Sequence, residues 1–149
     1  MPFLIPFQLR VASFRKCVDF DREAEGIKSG DSDHSASQHI IIKRSRLIED
    51  GFHMLNRMRI SALKSVIRVK FYNDLGLAEA GIDQDGVFKE FLEETVKKIF
   101  DPQFNLFRVT EEGNRLYPSH SSQVNQDTLD LFNYIGKLLG KAVYEGSVF

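Results

Sequence analysis

AGIDQDGVFKEFLEETVKKIF, residues Ala80 to Phe100, is the stretch from which the rest of the chain is read. It opens as a Gly/Asp loop and becomes an amphipathic helix. Val87, Phe88, Phe91, Leu92, Val96 and Ile99 recur at helical spacing and mark one wide apolar face. Lys89, Glu90, Glu93, Glu94, Lys97 and Lys98 fill the other. Glu93–Lys97 and Glu94–Lys98 are i,i+4 pairs with Glu first, expected to add about 0.2–0.5 kcal/mol each. Asp83 and Asp85 are candidate caps, well placed against the positive end of the helix dipole. Pro102 ends the helix, because the residue before a proline is pushed out of the helical region. Burying each large apolar side chain of this face stabilises by about 1.5–3 kcal/mol, so the helix reads as a core element.

The chain has 149 residues, enough for one domain with a substantial core. A hydrophobic share of 42% and a charged share of 28% place it among ordinary globular sequences. A net charge of −1 argues against a dedicated nucleic-acid or anionic-membrane binder. The lone cysteine, Cys17, excludes an intramolecular disulfide and points to a reducing, intracellular and cytoplasmic setting. No apolar run is long enough to span a membrane. The opening MPFLIPFQLR lacks the basic region, long apolar core and small-residue cleavage site of a signal peptide. Both ends are apolar (Phe3, Leu4 and Ile5; Val148 and Phe149), and the last helix shows no closing signal, so a fragment is expected. An exposed apolar patch and poor folding in isolation are expected with it.

Upstream of the central stretch, Pro6 suits a first helical turn, and Phe7, Val11, Phe14 and Val18 then form a helical stripe. Cys17 lies beside that stripe. It reads as an inert, partly buried thiol, because no local base supports a thiolate, although Lys16 is adjacent. Asp21 to Gln38 turns to Gly, Ser and Asp, the composition of a flexible linker. His39 to Lys43 (HIIIK) reads as a short, well-buried strand. Ser45 is a candidate N-cap for a helix whose apolar face is Leu47, Ile48, Phe52 and Leu55, with Gly51 allowing close approach. Lys43 to Arg46 (KRSR) is short and interrupted, and reads as a solvated strand-to-helix junction rather than a nuclear signal. Ser61 to Val66 stays open between helical turn and loop. Ile67, Val69 and Phe71 alternate with Arg68, Lys70 and Tyr72 as in a half-buried strand, and Asn73 to Gly76 turns the chain.

Downstream, Phe104 to Val109 reads as a strand, Glu111 to Asn114 as a turn, and Leu116-Tyr117 as a short return that Pro118 limits. Ser119 to Gln126 is a polar loop. From about Asp127 to Gly146 apolar residues surround a helix almost completely, so it is expected to be buried on most sides. Gly136 and Gly140, flanked by Lys137 and Lys141, suggest close packing against a neighbour rather than a membrane dimer.

Chemistry-bearing patterns fail. The Gly76-to-Gly81 spacing lacks the Lys-Ser/Thr of a phosphate loop. The Asp83-Gln84-Asp85 run has its glycine at the wrong place for calcium and puts Val87 where an oxygen ligand belongs. His34, His39, His53 and His120 are scattered without metal spacing, and no Ser/His/Asp or Cys/His set is visible. No metal, cofactor or catalytic residue is expected.

Four blocks in order carry a resemblance: KRSRLIEDGF (Lys43–Phe52), AGIDQDGVFKEFLEE (Ala80–Glu94), FDPQFNLF (Phe100–Phe107) and YIGKLLGKAVYEG (Tyr134–Gly146). Over Ile40 to Phe149 they resemble the N-terminal lobe of HECT-type ubiquitin ligases. That family shows R-S-R-x-x-E-D, G-(I/L)-D-x-G-G-(V/L)-x-(R/K)-E-F, F-(N/D)-P-x-x-x-L-F and G-(R/K)-x-(L/A)-G-x-A-(V/L)-Y. Asp85-Gly86 stands where many members have Gly-Gly. Phe3 to Glu25 is similar to the helical extension before the domain in the branch of B- and C-type ligases, on the B-type side.

The resemblance implies an α+β, mostly helical fold: the large subdomain of a HECT N-lobe with short strands and a hairpin, incomplete, preceded by a helical extension. It implies an extension over 1–25, a flexible linker over 26–38 and the truncated N-lobe portion over 39–149. It implies a ligase that accepts ubiquitin as a thioester from a conjugating enzyme and passes it to substrate lysines, with this chain as scaffold only. The family's catalytic cysteine sits in a T-C-x-N-L motif of a C-terminal lobe, and this chain has no such motif. The subdomain that docks the conjugating enzyme follows the last helix and is also outside the sequence. Ubiquitin, the conjugating enzyme and protein substrates are the implied partners, with no nucleic acid and no membrane span. Some members bind a second ubiquitin non-covalently on this surface. Phe52 falls at an aromatic position of that site, and Gln84 where those members have an aromatic. A core role for Phe52 stands beside that reading. The alternative function is a non-catalytic interaction fragment or truncated isoform.

Overall fold

Helical and strand periods alternate along the chain, and the computed structural model follows them, describing residues 2–27, 37–79, 84–113, 115–120 and 126–147. The elements are α1 (Phe7–Ala24), β1 (Gln38–Lys43), α2 (Leu47–Asn56), α3 (Ile60–Lys64), β2 (Ile67–Tyr72), α4 (Gln84–Ile99), β3 (Phe107–Val109), β4 (Leu116–Pro118) and α5 (Gln126–Glu145). Tight 3-10 turns stand at Pro2–Leu4, Arg44–Arg46 and Pro102–Phe104. The fold is α+β and mostly helical. β1 and β2 pair in parallel, from Gln38 opposite Ile67 to Lys43 opposite Tyr72, joined by the α2–α3 crossover. β3 and β4 form an antiparallel hairpin around Gly113, whose φ of 75° suits the turn.

One apolar core lies between the sheet and the helices. Period two sends Ile40, Ile42, Ile67, Val69 and Phe71 to one side of the strands, all of them buried. The apolar face of α4 meets them with Phe88, Phe91, Leu92 and Ile99, as its helical spacing requires. α5 adds Tyr134, Ile135, Leu138 and Ala142. Gly51 of α2 is where these helices close. A Cβ there would stand 2.5 Å from the Tyr134 hydroxyl and 2.9 Å from Cζ of Phe91. The close approach expected of Gly51 is thus present.

α5 also holds the ends of its neighbours. Lys137 Nζ donates to the Asn56 carbonyl (2.9 Å) and side chain (3.1 Å), at the last residue of α2. One turn on, Lys141 Nζ donates to the carbonyl of Ser65 (2.7 Å) at the end of α3. Both ammonium groups thus meet orphan carbonyls at the negative ends of helices. Lys141 is 5% exposed, and burial pushes its pKa down while Glu145 pulls it back.

Several expectations are corrected. β1 is not buried throughout: Ile41 is 52% exposed, because it points to the outer sheet face. Ser45 does not cap α2. It lies inside the Arg44–Arg46 turn, and Arg46 precedes the helix without a side-chain cap. Asp50 instead accepts from the Lys43 backbone N–H at 3.0 Å. α5 is one-sided rather than enclosed: Leu129 and Val143 are half exposed. Gly136 and Gly140 lie on that outer side, with nothing within 4 Å of a Cβ at either, so no close packing occurs there. Gly146, at φ 75°, supplies the closing signal not read from the sequence, with the Ser147 N–H bonding back to Ala142 at 2.9 Å. On α1 only Val18 of the expected stripe is buried, and Cys17 is exposed.

In α4, Glu94 turns to Arg44 at 3.1 Å and Glu93 lies 3.9 Å from Lys89, which replaces the expected pairs with Lys97 and Lys98. Phe104 belongs to a 3-10 turn capped by Asp101, and left-handed Asn105 breaks the expected strand so that β3 starts at Phe107. The open stretch 61–66 resolves into the short helix α3. Asp83, the side chain of Asp85, and most of the 26–38 linker lie outside the described residues.

Gly51→Ala is expected to destabilise the fold by about 1–3 kcal/mol through overpacking. Tyr134→Phe in the same chain is expected to recover much of it, since it removes the oxygen that clashes. Urea denaturation of the four members of that cycle measures both the loss and the recovery.

Candidate functional site

Arg44 directly follows β1, and the turn into α2 aims its side chain across the inner edge of the sheet. Its guanidinium carbon lies 3.7 Å from the centroid of the Phe71 ring. Nη2 reaches Glu79 at 2.8 Å and Glu90 at 2.7 Å, and Nη1 reaches Glu94 at 3.1 Å. Nε adds bonds to both oxygens of Glu79 at 3.1 Å each. One cation therefore gathers carboxylates from the loop after β2 and from two turns of α4. Arg is the residue for this, because its planar fork serves several acceptors at once while its face stacks on an aromatic ring. The Glu79 carboxylate, followed by Glu90, pushes the Arg44 pKa up against the opposing effect of burial. Arg44 in turn holds Glu79 below the usual carboxylate value.

Beside this cluster runs a groove of about 670 Å³, whose charged and polar lining is His39, Arg44, Arg68, Lys70, Glu79 and Glu90. The register places His39 opposite Arg68, Ile41 opposite Lys70 and Lys43 opposite Tyr72, so the outer sheet face is basic. His39 on the groove wall has its Nε2 3.3 Å from the Ser37 hydroxyl. Among the described residues no group of three His, Cys, Asp or Glu could hold a metal. Arg44 and its three carboxylates make a charged tie between the sheet and α4.

Phe52 is partly buried on α2. Its ring meets Tyr134 edge-on, with centroids 5.7 Å apart at 78°, and His53 at 5.7 Å and 73°. It packs against the main core and leaves one side at the surface. Gln84 opens α4, and its side chain lies outside the described residues. The Arg44 cluster was missed from sequence. Its only local trace is Glu90 and Glu94 at i,i+4 on the polar side of α4, and their partner lies far away in the chain.

The HECT-domain (ubiquitin-transferase) family model matches residues 93–149. Over 148 residues, 99% of the chain, the sequence is 52% identical to "Ubiquitin-protein ligase E3B" of Homo sapiens. It is 37% identical over 146 residues to "E3 ubiquitin-protein ligase UPL6" of Arabidopsis thaliana, covering 97% of the chain. It is 33% identical over 159 residues to "E3 ubiquitin-protein ligase HUL5" of Saccharomyces cerevisiae, again over 97% of the chain. The chain spans 14% of the length of the first two and 17% of the third. These matches take in α1 as well as the four blocks, whereas the family model begins within α4.

Arg44→Ala is expected to cost about 1–2 kcal/mol at neutral pH, with Arg44→Lys recovering only part, since lysine offers neither the fork nor the stacking plane. Glu79 is a carboxyl with a lowered pKa, so its contribution is present above its ordinary value of 4.5 and fades as the pH falls through the folded value. The stability gap between native and Arg44→Ala chains should narrow on acidification, as read by urea denaturation across that range.

Proposed function

Because this chain belongs to the HECT family, we propose that it is the opening portion of the HECT domain of a longer ubiquitin-protein ligase, and that it supplies support rather than chemistry. In that reading residues 1–25 are a helical extension, 26–38 a linker and 39–149 the first part of the N-lobe. The whole ligase receives ubiquitin from a conjugating enzyme. A ligase thiolate attacks the thioester carbonyl, the conjugating enzyme's thiol leaves, and a substrate lysine later attacks the new thioester to form an amide. The setting is intracellular, where thiols stay reduced.

The observation that carries this reading is 52% identity across 99% of the chain to a named ubiquitin-protein ligase. The scaffold role is supported by the sequence: the one thiol, Cys17, is exposed on α1, and the T-C-x-N-L motif in which the family carries its reacting cysteine is not among these residues. No described helix is long and apolar enough to cross a membrane.

Within the same reading, the outward side of Phe52 is where a non-covalent ubiquitin contact falls, with Gln84 as the second expected residue. Phe52 already spends part of its ring on Tyr134, so the contact is weak.

Incubating the purified chain with activating enzyme, conjugating enzyme, ATP and ubiquitin should give no thioester-linked ubiquitin on Cys17. The full-length ligase should give one that a reducing agent removes. Charging of Cys17 would overturn the scaffold role, and a transcript that stops after Phe149 would favour the truncated-isoform alternative. Labelled chain titrated with ubiquitin should show small NMR shift changes around Phe52; none at millimolar ubiquitin would end that part of the proposal.

A further inference from the structure

A parallel strand pair bonds through alternate residues of each strand. The Gln38 N–H donates to the Val66 carbonyl at 2.8 Å, so the same side of β2 carries the amide groups of Arg68 and Lys70 to β1. Val69 and Phe71 turn theirs to the other side. There the Phe71 carbonyl accepts from the Glu79 N–H at 2.9 Å, and the Asn73 N–H donates to the Leu77 carbonyl at 3.0 Å. These two bonds make a single antiparallel bridge between Tyr72 and Ala78, the beginning of a third strand. It goes no further among the described residues, so the N–H and C=O of Val69 stay open along that edge. An open edge of this kind is a template for another extended chain.

The groove described above runs along this edge. Four consecutive residues of β2, Arg68 to Phe71, line it together with Ala78 and Val87. Period two divides that lining by chemistry. Val69 and Phe71 face inward, beside Val87, and make an apolar wall. Arg68 and Lys70 face outward and make a basic one. The Arg68 Nε is buried with no hydrogen-bond partner among the described residues. Lys70 Nζ rests 5.7 Å from the centre of the Tyr72 ring. No carboxylate among the described residues pairs with either cation. The two carboxylates that do line the groove, Glu79 and Glu90, are already held by Arg44. A buried guanidinium nitrogen without an acceptor asks for one, and a carboxylate is the acceptor that also matches its charge.

We propose that the open edge of β2 docks an extended segment of another protein in which acidic and apolar residues alternate, added to the sheet as a further strand. Its amides bond to Val69 and its neighbours on the edge, its carboxylates meet Arg68 and Lys70, and its apolar side chains turn toward Val69 and Val87. Main-chain bonds supply the affinity in this mode of recognition and the alternate side chains supply the selection. The site is built from β1, β2, the Ala78–Glu79 bridge and α4 alone, so it does not depend on the ligase reading.

The test uses the full-length protein and fluorescence anisotropy with a labelled, end-blocked peptide of repeating Glu-Val. That peptide should bind, and its repeating Lys-Val counterpart should bind about tenfold more weakly or not at all. Two further Glu-Val peptides carry N-methyl groups, one on every Val and the other on every Glu. Charge is unchanged in both, but only one set of alternate amides faces the edge, so one peptide should lose about tenfold in affinity while the other keeps it. Arg68→Glu combined with Lys70→Glu should reverse the preference, losing the Glu-Val peptide and gaining the Lys-Val one, a gain that a merely damaged fold would not produce. No binding of the Glu-Val peptide to the native protein would overturn the inference. So would equal behaviour of the two N-methylated peptides, which marks attraction of charge without a strand, or binding that the double variant leaves unaltered.

Discussion

The contact of Gly51 with Tyr134 and Phe91 sets the spacing of the whole core. Three helices meet at a point where one of them has no side chain, so α2 can approach α4 and α5 more closely than any other residue would permit. The contact has a polar cost. Among the described residues the Tyr134 hydroxyl is buried without a hydrogen-bond partner, and so is the hydroxyl of Thr95 on α4. Burial pushes the Tyr134 phenol up. What compensates is packing: Tyr134, Phe91 and Leu92 are all at 0% exposure.

Around that junction the polar ties sit at element ends rather than within the core. Lys137 closes α2, Lys141 closes α3, and Arg44 closes the sheet against α4. Each cation meets orphan carbonyls or carboxylates whose desolvation would otherwise count against folding. Exposed ion pairs contribute little one by one. Here their effect is directional: they fix which turn of α5 faces which helix end, while the apolar face alone would tolerate sliding. Lys141 shows the balance, since burial disfavours its charge and only Ser65, Lys64 and Glu145 keep it supplied with acceptors.

Where period alone decides, the fold was legible in the sequence. The face of α4, the alternation of β2, the turn at Asn73 and the glycine at 51 all follow from local spacing. Burial on the wrong side was not legible, because composition cannot say whether a neighbour exists. Leu129 and Val143 are apolar and half exposed, and Gly136 and Gly140 face open space. The stripe on α1 is the same error in another place: helical spacing correctly marks a face, but only Val18 finds a partner among the described residues. The Arg44 cluster was illegible for a different reason. Its carboxylates lie 35 to 50 positions from Arg44, and no periodicity links residues across such a distance. Phe52 admits two readings, core residue and surface contact, and the partly buried ring is compatible with both.

The end-capping contacts and the core fit together. A parallel strand pair locked to α4 by one arginine, and three helices closed over one glycine, make a body whose elements are fixed to one another. Exposed large apolar residues stand on α1, in the loop after β2, on the β3–β4 hairpin and on α5. On α1, Phe7, Val11 and Phe14 continue the helical face of Val18. Isolated exposed apolar residues are ordinary on protein surfaces. The core and the exposed face of α1 are thus two outcomes of one sequence pattern: apolar positions that either find Tyr134 and its neighbours or stay at the surface.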